Sequence, residues 1–301
     1  MIDSYDVKPK HIVDAHTHIF EEEYRERYIE ETFSIDFSII LNFKRGADGT
    51  LEGLSGSADV NNISKYFILP VVKDPRKIEH INDYYYRESK KDQRAVFCGT
   101  LHPDHPRLDA ILADLKLKNA KMIKLHSVFQ RFNITARQSL NFFEKVVKAD
   151  LPVIFDTSRI PPRYLTDDDR PEYYANPSKL LKLHEILPEL KIIAAHGGGL
   201  FIYDYERRNL IDSGIYIELS SSYYNCDWPQ NDYDISLENF IYMLNNHNQD
   251  KLLFGTDSPW QDQKADMEKF LKLHETGKIT KEQLENILWK NANSLFELGL
   301  K

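Results

Sequence analysis

Short apolar segments alternate with longer amphipathic segments along most of the chain. Eight apolar segments have the length and β-branched composition of strands; they are Ile12 to Asp14, Tyr66 to Val72, Ala95 to Leu101, Lys121 to His126, Pro152 to Asp156, Lys191 to Ala195, Ile215 to Leu219 and Lys251 to Gly255. Helical patterns between and after them include Ala136 to Lys148, Pro177 to Leu187, Asp262 to His274 and, after the cap-like Thr280, Lys281 to Leu298. This alternation predicts a parallel sheet, and eight successive units favour an α/β fold of the (β/α)8 TIM-barrel type over an open doubly wound sheet.

The chain has 301 residues, a length that fits two ordinary domains or one large barrel. We interpret residues 1–301 as a single barrel domain with an extended first βα loop at residues 21–62. That segment is charged at first, then rich in Phe and Ile, and then rich in Gly. Such loops lie on the C-terminal face of a barrel and carry substrate sites. The alternative is a solvated excursion or a contact between subunits, so homo-oligomerisation stays open.

Composition narrows the classes of partner. A formal net charge of −8 and a pI of about 5.8 argue against a nucleic-acid or anionic-membrane binder, which would need a basic surface. No apolar run approaches the ~18 residues of a membrane span. The two cysteines, Cys98 and Cys226, have no metal-ligand spacing and are expected to be reduced thiols. These features predict a soluble, cytoplasmic protein.

Two histidines one residue apart form the first candidate for chemistry. His16 and His18 follow the first apolar segment in the sequence Asp14-Ala15-His16-Thr17-His18. Alternate side chains of a strand share a face, so both imidazoles can converge on one metal ion. Two solvated histidines at a strand end are the alternative for an isolated His-x-His pair.

Further polar residues stand at the ends of other predicted strands, and they are Lys124, His126, Asp156, His196 and Asp257. In a closed barrel these ends meet on one face. Each residue also has a local explanation: Lys124 could pair with Asp156, the histidines could be structural, and Asp257 could cap the next helix. Taken together, half-buried polar groups at successive strand ends favour a metal site at the barrel mouth.

The motifs together resemble the amidohydrolase superfamily, nearest to the amidohydrolase-related branch that also contains metal-dependent decarboxylases. The segments that carry the resemblance are Asp14 to His18, Lys124 to His126, Ala195 to Gly199, Gly255 to Pro259 and Asn286 to Phe296. The resemblance covers almost the whole chain, and it does not identify a substrate.

The resemblance implies a role for several of these residues. His16 and His18 would be metal ligands, and Asp257 would be a ligand or near-ligand that takes a proton from the activated water. His196 would orient that water or polarise the substrate. Lys124 would either be carboxylated to bridge two metals, as in some relatives, or donate to a substrate carboxylate or to Asp156. A divalent metal also makes water acidic enough to give hydroxide near neutral pH, which agrees with these roles.

One residue departs from the family pattern. Relatives commonly end strand five with a ligand histidine, where this chain has Asp156. Asp156 could bind metal through oxygen, His126 could replace the missing nitrogen, or the site could have lost its metal. We expect one divalent ion, and zinc is favoured. Manganese is the alternative, because a carboxylate ligand would shift the metal preference of the site towards harder ions.

The expected activity is hydrolysis of a small amide, lactone or ester by metal-activated water. Gln130, Arg131, Arg159 and Tyr223 follow predicted strands and could recognise an anionic substrate. Two alternatives remain: a metal-dependent decarboxylase of an unsaturated or aromatic acid, and a catalytically silent barrel used for binding or assembly. A deoxyribonuclease is disfavoured by the acidic net charge.

Overall fold

Eight parallel strands form the centre of the molecule. The computed structural model describes residues 8–26, 29, 46–159, 170–222 and 235–301. Within these residues the strands are β1 (Val13–Thr17), β2 (Lys65–Ile68), β3 (Ala95–Phe97), β4 (Ile123–Leu125), β5 (Val153–Phe155), β6 (Ile192–Ala194), β7 (Tyr216–Glu218) and β8 (Leu252–Leu253). Each overlaps one of the eight predicted segments, so the strand predictions are confirmed.

The strands pair in sequence order and close into a barrel. Parallel ladders join β1 to β3 in one run and β4 to β8 in another. Gly99 bridges to Ile123 between the two runs. At the other seam the Ala15 N–H donates to the Phe254 carbonyl over 2.9 Å, and Thr17 bridges to Ser258. The (β/α)8 barrel predicted from the alternation is therefore confirmed.

Helices follow the strands on the outside of the barrel. The α-helices in the described residues are Leu51–Val60, Ile78–Ser89, Leu108–Leu117, Ser127–Gln130, Arg137–Ala149, Pro177–Ile186, Asp204–Arg208, Leu237–Asn246, Gln263–Glu275, Lys281–Glu285 and Asn291–Phe296. Residues 22–26 are helical as well. Short 3-10 turns lie at Pro75–Lys77, Pro171–Tyr173 and His196–Gly198. Apolar side chains of strands and helices form one continuous buried core.

Capping chemistry decides where several helices begin. Thr280 and Gln283 form a reciprocal capping box at the start of the last helical segment, as the cap-like position of Thr280 predicts. That segment contains a π-helical turn at Asn286–Lys290, so it is not one regular helix. Asp262, rather than Asp257, caps the helix Gln263–Glu275 by accepting from the N–H groups of Lys264 and Ala265. Asp257 is thereby left available for chemistry.

The first βα connection is shorter than predicted. Residues 51–60 of the expected loop form an outer helix, because Leu51, Leu54 and Ala58 pack into the core at helical spacing. Most of the Phe- and Ile-rich part of that loop lies outside the described residues. No helix in the described part of the chain is long and apolar enough to cross a membrane.

Candidate metal centre

Barrel closure brings two strand ends together at the carboxyl-terminal face. His16 lies in β1 and His18 follows it, while Asp257 follows β8. The Asp257 N–H donates to the His16 carbonyl over 2.7 Å, and the His18 N–H donates to the Ser258 carbonyl over 2.6 Å. All three side chains are buried. The backbone therefore fixes Asp257 beside the histidine pair.

Three lone pairs converge at this point. The Nε2 atoms of His16 and His18 lie 3.1 Å apart. Oδ1 of Asp257 lies 3.1 Å from Nε2 of His18 and 3.5 Å from Nε2 of His16. Metal bonds of 2.0–2.2 Å would place neighbouring ligand atoms about 2.9–3.5 Å apart. The separations in this cluster match that range.

The opposite ring nitrogens fix the protons of both imidazoles. Nδ1 of His18 donates to the Leu69 carbonyl over 2.7 Å, and Nδ1 of His16 donates to the Glu218 carboxylate over 2.7 Å. The Nε2 atoms of His16 and His18 are then acceptors, and they face each other and the Asp257 carboxylate, which is also an acceptor. A positive charge between these three acceptors would stabilise the arrangement. Burial, followed by the Lys124 ammonium, holds the pKa of His16 well below its ordinary value. A neutral His16 is the form that ligates metal, so these residues fit a divalent cation.

Lys124 lies on the edge of this cluster. Its side chain is buried, and Nζ lies 3.3 Å from Nε2 of His16. The sequence suggested Asp156 as its partner, but the ammonium contacts the imidazole of β1 instead. Lys124 therefore places a cation at the wall of the site.

Glu218 is a site residue that the sequence analysis missed. It lies in β7, is fully buried, and accepts the hydrogen bond from Nδ1 of His16, on the side of the ring away from the other donors. Ser220 donates to its carboxylate from the hydroxyl over 2.8 Å and also from the backbone N–H. Burial raises the pKa of Glu218 to about 7. A lone glutamate inside an apolar strand was the available signal, because burying an acid is costly unless it has partners.

His196 and Asp156 form a second part of the site. Nε2 of His196 donates to Oδ2 of Asp156 over 3.3 Å, and Nδ1 lies 3.0 Å from the Ser220 hydroxyl. Because that hydroxyl donates to Glu218, both nitrogens of His196 must carry protons. Burial alone would lower the pKa of His196, but Asp156 and the nearby carboxylates raise it. The hydrogen-bond pattern is that of an imidazolium beside a carboxylate, and the direction of the pKa shift agrees with it.

His126 completes this second cluster. Its Nε2 lies 3.6 Å from Oδ2 of Asp156. Burial lowers the pKa of His126 to about 4. Burial would raise the pKa of Asp156, but His126 and His196 hold it well below its ordinary value. Among the described residues, the convergent donor sets are His16, His18, Asp257 and His16, His196, Glu218. The metal roles predicted for His126 and Asp156 stay predictions.

Two site residues have strained backbones. His196 and Asp257 have positive φ angles of 58° and 63°, which non-glycine residues rarely adopt. Strain of this kind persists where the surrounding structure over-determines it, and it is common at functional sites. Gly199, just after His196, has φ 118°, and a Cβ there would lie 2.4 Å from the Thr157 carbonyl oxygen. The triple-glycine turn thus allows close packing behind His196.

Aromatic rings lie next to two histidines of the site. Phe20 stacks on His18 with centroids 6.2 Å apart, and Trp260 lies 5.9 Å from Phe20. Phe129 stacks on His126 at 3.7 Å. One aromatic ring, that of Phe20, therefore packs directly against a member of the donor cluster.

Comparison with known proteins identifies the family. The amidohydrolase family model matches residues 13–298. The chain belongs to the amidohydrolase family.

This family member resembles three solved structures over 95% of its length. An uncharacterised TIM-barrel protein from Bordetella bronchiseptica has a TM-score of 0.72 at 17% identity and is covered over 98% of its chain. The manganese-bound 5-carboxyvanillate decarboxylase of Novosphingobium aromaticivorans has a TM-score of 0.68 at 12% identity, with 97% covered. A probable 2-pyrone-4,6-dicarboxylic acid hydrolase of Acinetobacter baumannii has a TM-score of 0.60 at 14% identity, with 99% covered.

A curated relative matches over a shorter stretch. The decarboxylase orsB of Emericella nidulans is 26% identical over 132 residues, which cover 38% of this chain. The chain spans 36% of the length of that relative.

The residues predicted to recognise substrate have different surroundings in this member of the family. Arg159 donates to Glu206 over 2.7 Å. Gln130 is buried and donates to the Leu101 carbonyl, so it links the segment after β4 to the segment after β3. Arg131 is exposed at the end of a helical turn. Tyr223, like Cys226, lies outside the described residues. The roles of Arg131, Arg159 and Tyr223 stay predictions.

Proposed function

We propose that this protein is a metal-dependent decarboxylase that releases carbon dioxide from an aromatic or unsaturated carboxylic acid. The observation that carries the proposal is the cluster of His16, His18 and Asp257, whose lone pairs converge within 3.5 Å beside the Phe20 ring that stacks on His18. An aromatic ring at this position suits a planar substrate, and the donor set suits a divalent cation. The decarboxylases among the structural neighbours and the partial match to orsB support this activity over hydrolysis.

The reaction breaks the bond between the ring carbon and the carboxylate. A divalent cation held by His16, His18 and Asp257 would neutralise and orient the acidic groups of the substrate. The ring carbon takes up a proton with a pair of ring π electrons, and the electron pair of the broken carbon–carbon bond returns to the ring as carbon dioxide leaves. Asp257 borders the donor cluster and is our choice for the residue that transfers this proton.

Other side chains of the site would control charge and orientation. The Lys124 ammonium and the His196 imidazolium place positive charge next to the position of an anionic substrate. Preorganised charge of this kind costs no reorganisation during the reaction. Asp156 neutralises His196 and keeps its ring in place through the 3.3 Å hydrogen bond. Asp156, which stands where relatives commonly have a strand-five histidine, would then position the His196 imidazolium.

Isotope labelling tests this activity directly. The protein is loaded with Mn²⁺ or Zn²⁺ and incubated in D2O with a panel of hydroxybenzoates and unsaturated acids that carry ¹³C in the carboxyl group. We expect labelled carbon dioxide and one deuterium at the vacated carbon. The His16→Ala protein, incubated with the same metal, serves as the control and should release none. Absence of labelled carbon dioxide across the panel would reject the proposal.

Hydrolysis is the second candidate function. Asp257 lies beside the lone pairs of both histidines, where it could equally accept a proton from water. The hydrolase among the structural neighbours supports this alternative. Reactions with lactones and amides in H2¹⁸O would place ¹⁸O in a product carboxylate without release of carbon dioxide. That outcome would replace the decarboxylase proposal.

A further inference from the structure

Asp14 is a buried carboxylate in β1 that the proposed reaction does not use. Within the described residues it accepts four hydrogen bonds. Oδ1 accepts from the backbone N–H groups of His16 and Thr256 over 3.2 Å and 3.0 Å. Oδ2 accepts from the Thr256 hydroxyl over 2.7 Å and from the Gln263 amide over 2.8 Å. All of these residues are fully buried, where a carboxylate is stable only among such donors.

The Thr256 hydroxyl connects Asp14 with the residue that follows Asp257. The hydroxyl donates to Oδ2 of Asp14, and its oxygen accepts from the Ser258 N–H over 3.2 Å. Thr256 and Ser258 are the two chain neighbours of Asp257, and both are fully buried. We call these hydrogen bonds of Asp14, Thr256 and Ser258 the bracket. The bracket fixes the backbone on both sides of Asp257.

The backbone of Asp257 needs such support. Its φ angle of 63° is unfavourable for a residue with a side chain and persists only where the surroundings enforce it. Rotation of φ towards the ordinary negative range would turn the Cα–Cβ bond relative to the flanking peptides. Oδ1 of Asp257 would then leave its position 3.1 Å from Nε2 of His18. The bracket therefore maintains the angle on which the donor cluster depends.

The same carboxylate also holds the backbone of the histidine pair. Oδ1 of Asp14 accepts from both the His16 N–H and the Thr256 N–H, so the two backbone segments that carry metal donors meet at a single oxygen atom. Gln263 begins the helix Gln263–Glu275 and joins that helix to Oδ2. Asp14 thus sets the relative positions of β1, the end of β8 and the helix that follows.

We propose that Asp14 is a positioning residue, which holds His16 and Asp257 at metal-binding separation through the bracket. The inference rests on the proposed function, because it takes both residues as ligands of the cation. A carboxylate that only joined β1 to β8 would affect the free energy of unfolding alone. A positioning carboxylate also sets the affinity and the ligand geometry of the metal, and this difference is measurable.

Substitution of Thr256 removes the hydroxyl of the bracket without changing the charge of the site. Thr256→Val keeps the shape of the side chain, and Thr256→Ser keeps the hydroxyl. We expect Thr256→Val to weaken Mn²⁺ binding by about 10- to 100-fold, as loss of outer partners does. Thr256→Ser should bind Mn²⁺ like the wild type. Metal titration against a fluorescent chelator gives the affinity, and urea unfolding of the metal-free proteins gives the stability.

Ser139→Ala is the matched control. The Ser139 hydroxyl is buried on the outer helix Arg137–Ala149 and donates to the Asn133 carbonyl over 2.7 Å. Its loss therefore also removes one hydrogen bond of a buried hydroxyl. We expect Ser139→Ala to lower the free energy of unfolding, as Thr256→Val does, and to leave the Mn²⁺ affinity unchanged.

Asp14→Asn tests the carboxylate itself. Asparagine keeps an acceptor for the two backbone N–H groups, but it puts an NH2 group where Oδ2 accepts from Thr256 and Gln263. We expect weaker Mn²⁺ binding in this variant. With Co²⁺ as the probe metal, its visible spectrum should change in the same way as that of Thr256→Val, because the spectrum follows ligand geometry. The Co²⁺ spectrum of Ser139→Ala should match that of the wild type.

The outcomes separate this inference from the proposed function. Wild-type Mn²⁺ affinity in folded Thr256→Val or folded Asp14→Asn would overturn the inference. So would a Thr256→Ser protein that binds Mn²⁺ as weakly as Thr256→Val. These readouts need no turnover. A protein that shows the expected differences in metal binding but releases no carbon dioxide would reject the proposed function and leave the role of Asp14 supported.

Discussion

The Nδ1 atom of His16 lies 2.7 Å from the Oε2 atom of Glu218, and both side chains are fully buried. The carboxylate selects the tautomer of His16 that exposes Nε2 to the other donors. It does so from β7, 202 residues away in the sequence, so barrel closure is what creates the pair. Outer partners of this kind orient metal ligands and raise their basicity.

Glu218→Gln should weaken metal binding by about 10- to 100-fold, the range typical of lost outer partners. An amide can still accept from His16 but carries no charge, so the ring loses its electrostatic support. Metal titration with a fluorescent chelator as competitor gives the dissociation constant. The control is Glu206→Gln, a buried glutamate that pairs with Arg159. Equal metal affinity of the wild type and Glu218→Gln would show that the hydrogen bond is incidental.

Much of the fold was predictable because each element carries its own local signal. The segments Ile192–Ala194 and Val153–Phe155 are short apolar runs, and buried parallel strands are apolar on both faces. The helix at Leu51–Val60 was assigned to a loop because its glycines and serines hide the apolar spacing of Leu51, Leu54 and Ala58. Packing on the barrel overrides that weak helix propensity.

The site residues that could be predicted are those in which a polar side chain directly follows an apolar strand segment. His16, His18 and Asp257 follow apolar runs, and the barrel converts those positions into one cluster. Glu218 was missed because its partner is distant in the sequence. The contact of Lys124 with His16 depends on side-chain direction inside the barrel, which the sequence pattern does not report.

His16→Ala and His18→Ala should each lose most bound divalent metal while the barrel stays folded. The core is built from strands and helices that do not depend on the ion, so binding energy at the mouth is separate from global folding. Elemental analysis after gel filtration measures metal content, and circular dichroism checks the fold. His80→Ala is the control, because His80 is 59% exposed and pairs with Glu21. Unaltered metal content in both variants would show that this pair does not hold the metal.

Asp92 lies outside the candidate metal centre, and its ionisation makes the free energy of unfolding depend on pH. Its carboxylate accepts from Arg94, from the Ser55 hydroxyl and from the Tyr66 hydroxyl. Burial would raise the pKa of Asp92, but these hydrogen bonds outweigh it and hold the pKa well below its ordinary value. A depressed pKa in the folded state stabilises the protein above the unfolded pKa near 3.9, and this stability is lost as pH falls through the folded pKa.

Asp92→Asn should therefore lower the free energy of unfolding at pH 7 by about 1–3 kcal/mol, the usual cost of losing hydrogen bonds to a charged group. Between pH 7 and about pH 5 the difference from the wild type should stay constant, and below about pH 4 it should shrink. Urea unfolding at a series of pH values measures this. A difference that grows as the solution becomes more acidic would contradict the assigned sign.

Asp257→Asn should lower turnover by about 10²- to 10⁴-fold, the range for loss of a general acid or base. Asparagine keeps the size of the side chain, and the Trp260 N–H can still donate to the backbone carbonyl of residue 257. The amide cannot transfer the proton that the reaction needs. Because an amide is also a weaker ligand, metal content has to be measured in the same samples, and turnover is compared per metal-loaded protein. Turnover near the wild-type value in metal-loaded Asp257→Asn would assign the proton transfer to another group, with the His196 imidazolium as the next residue to substitute.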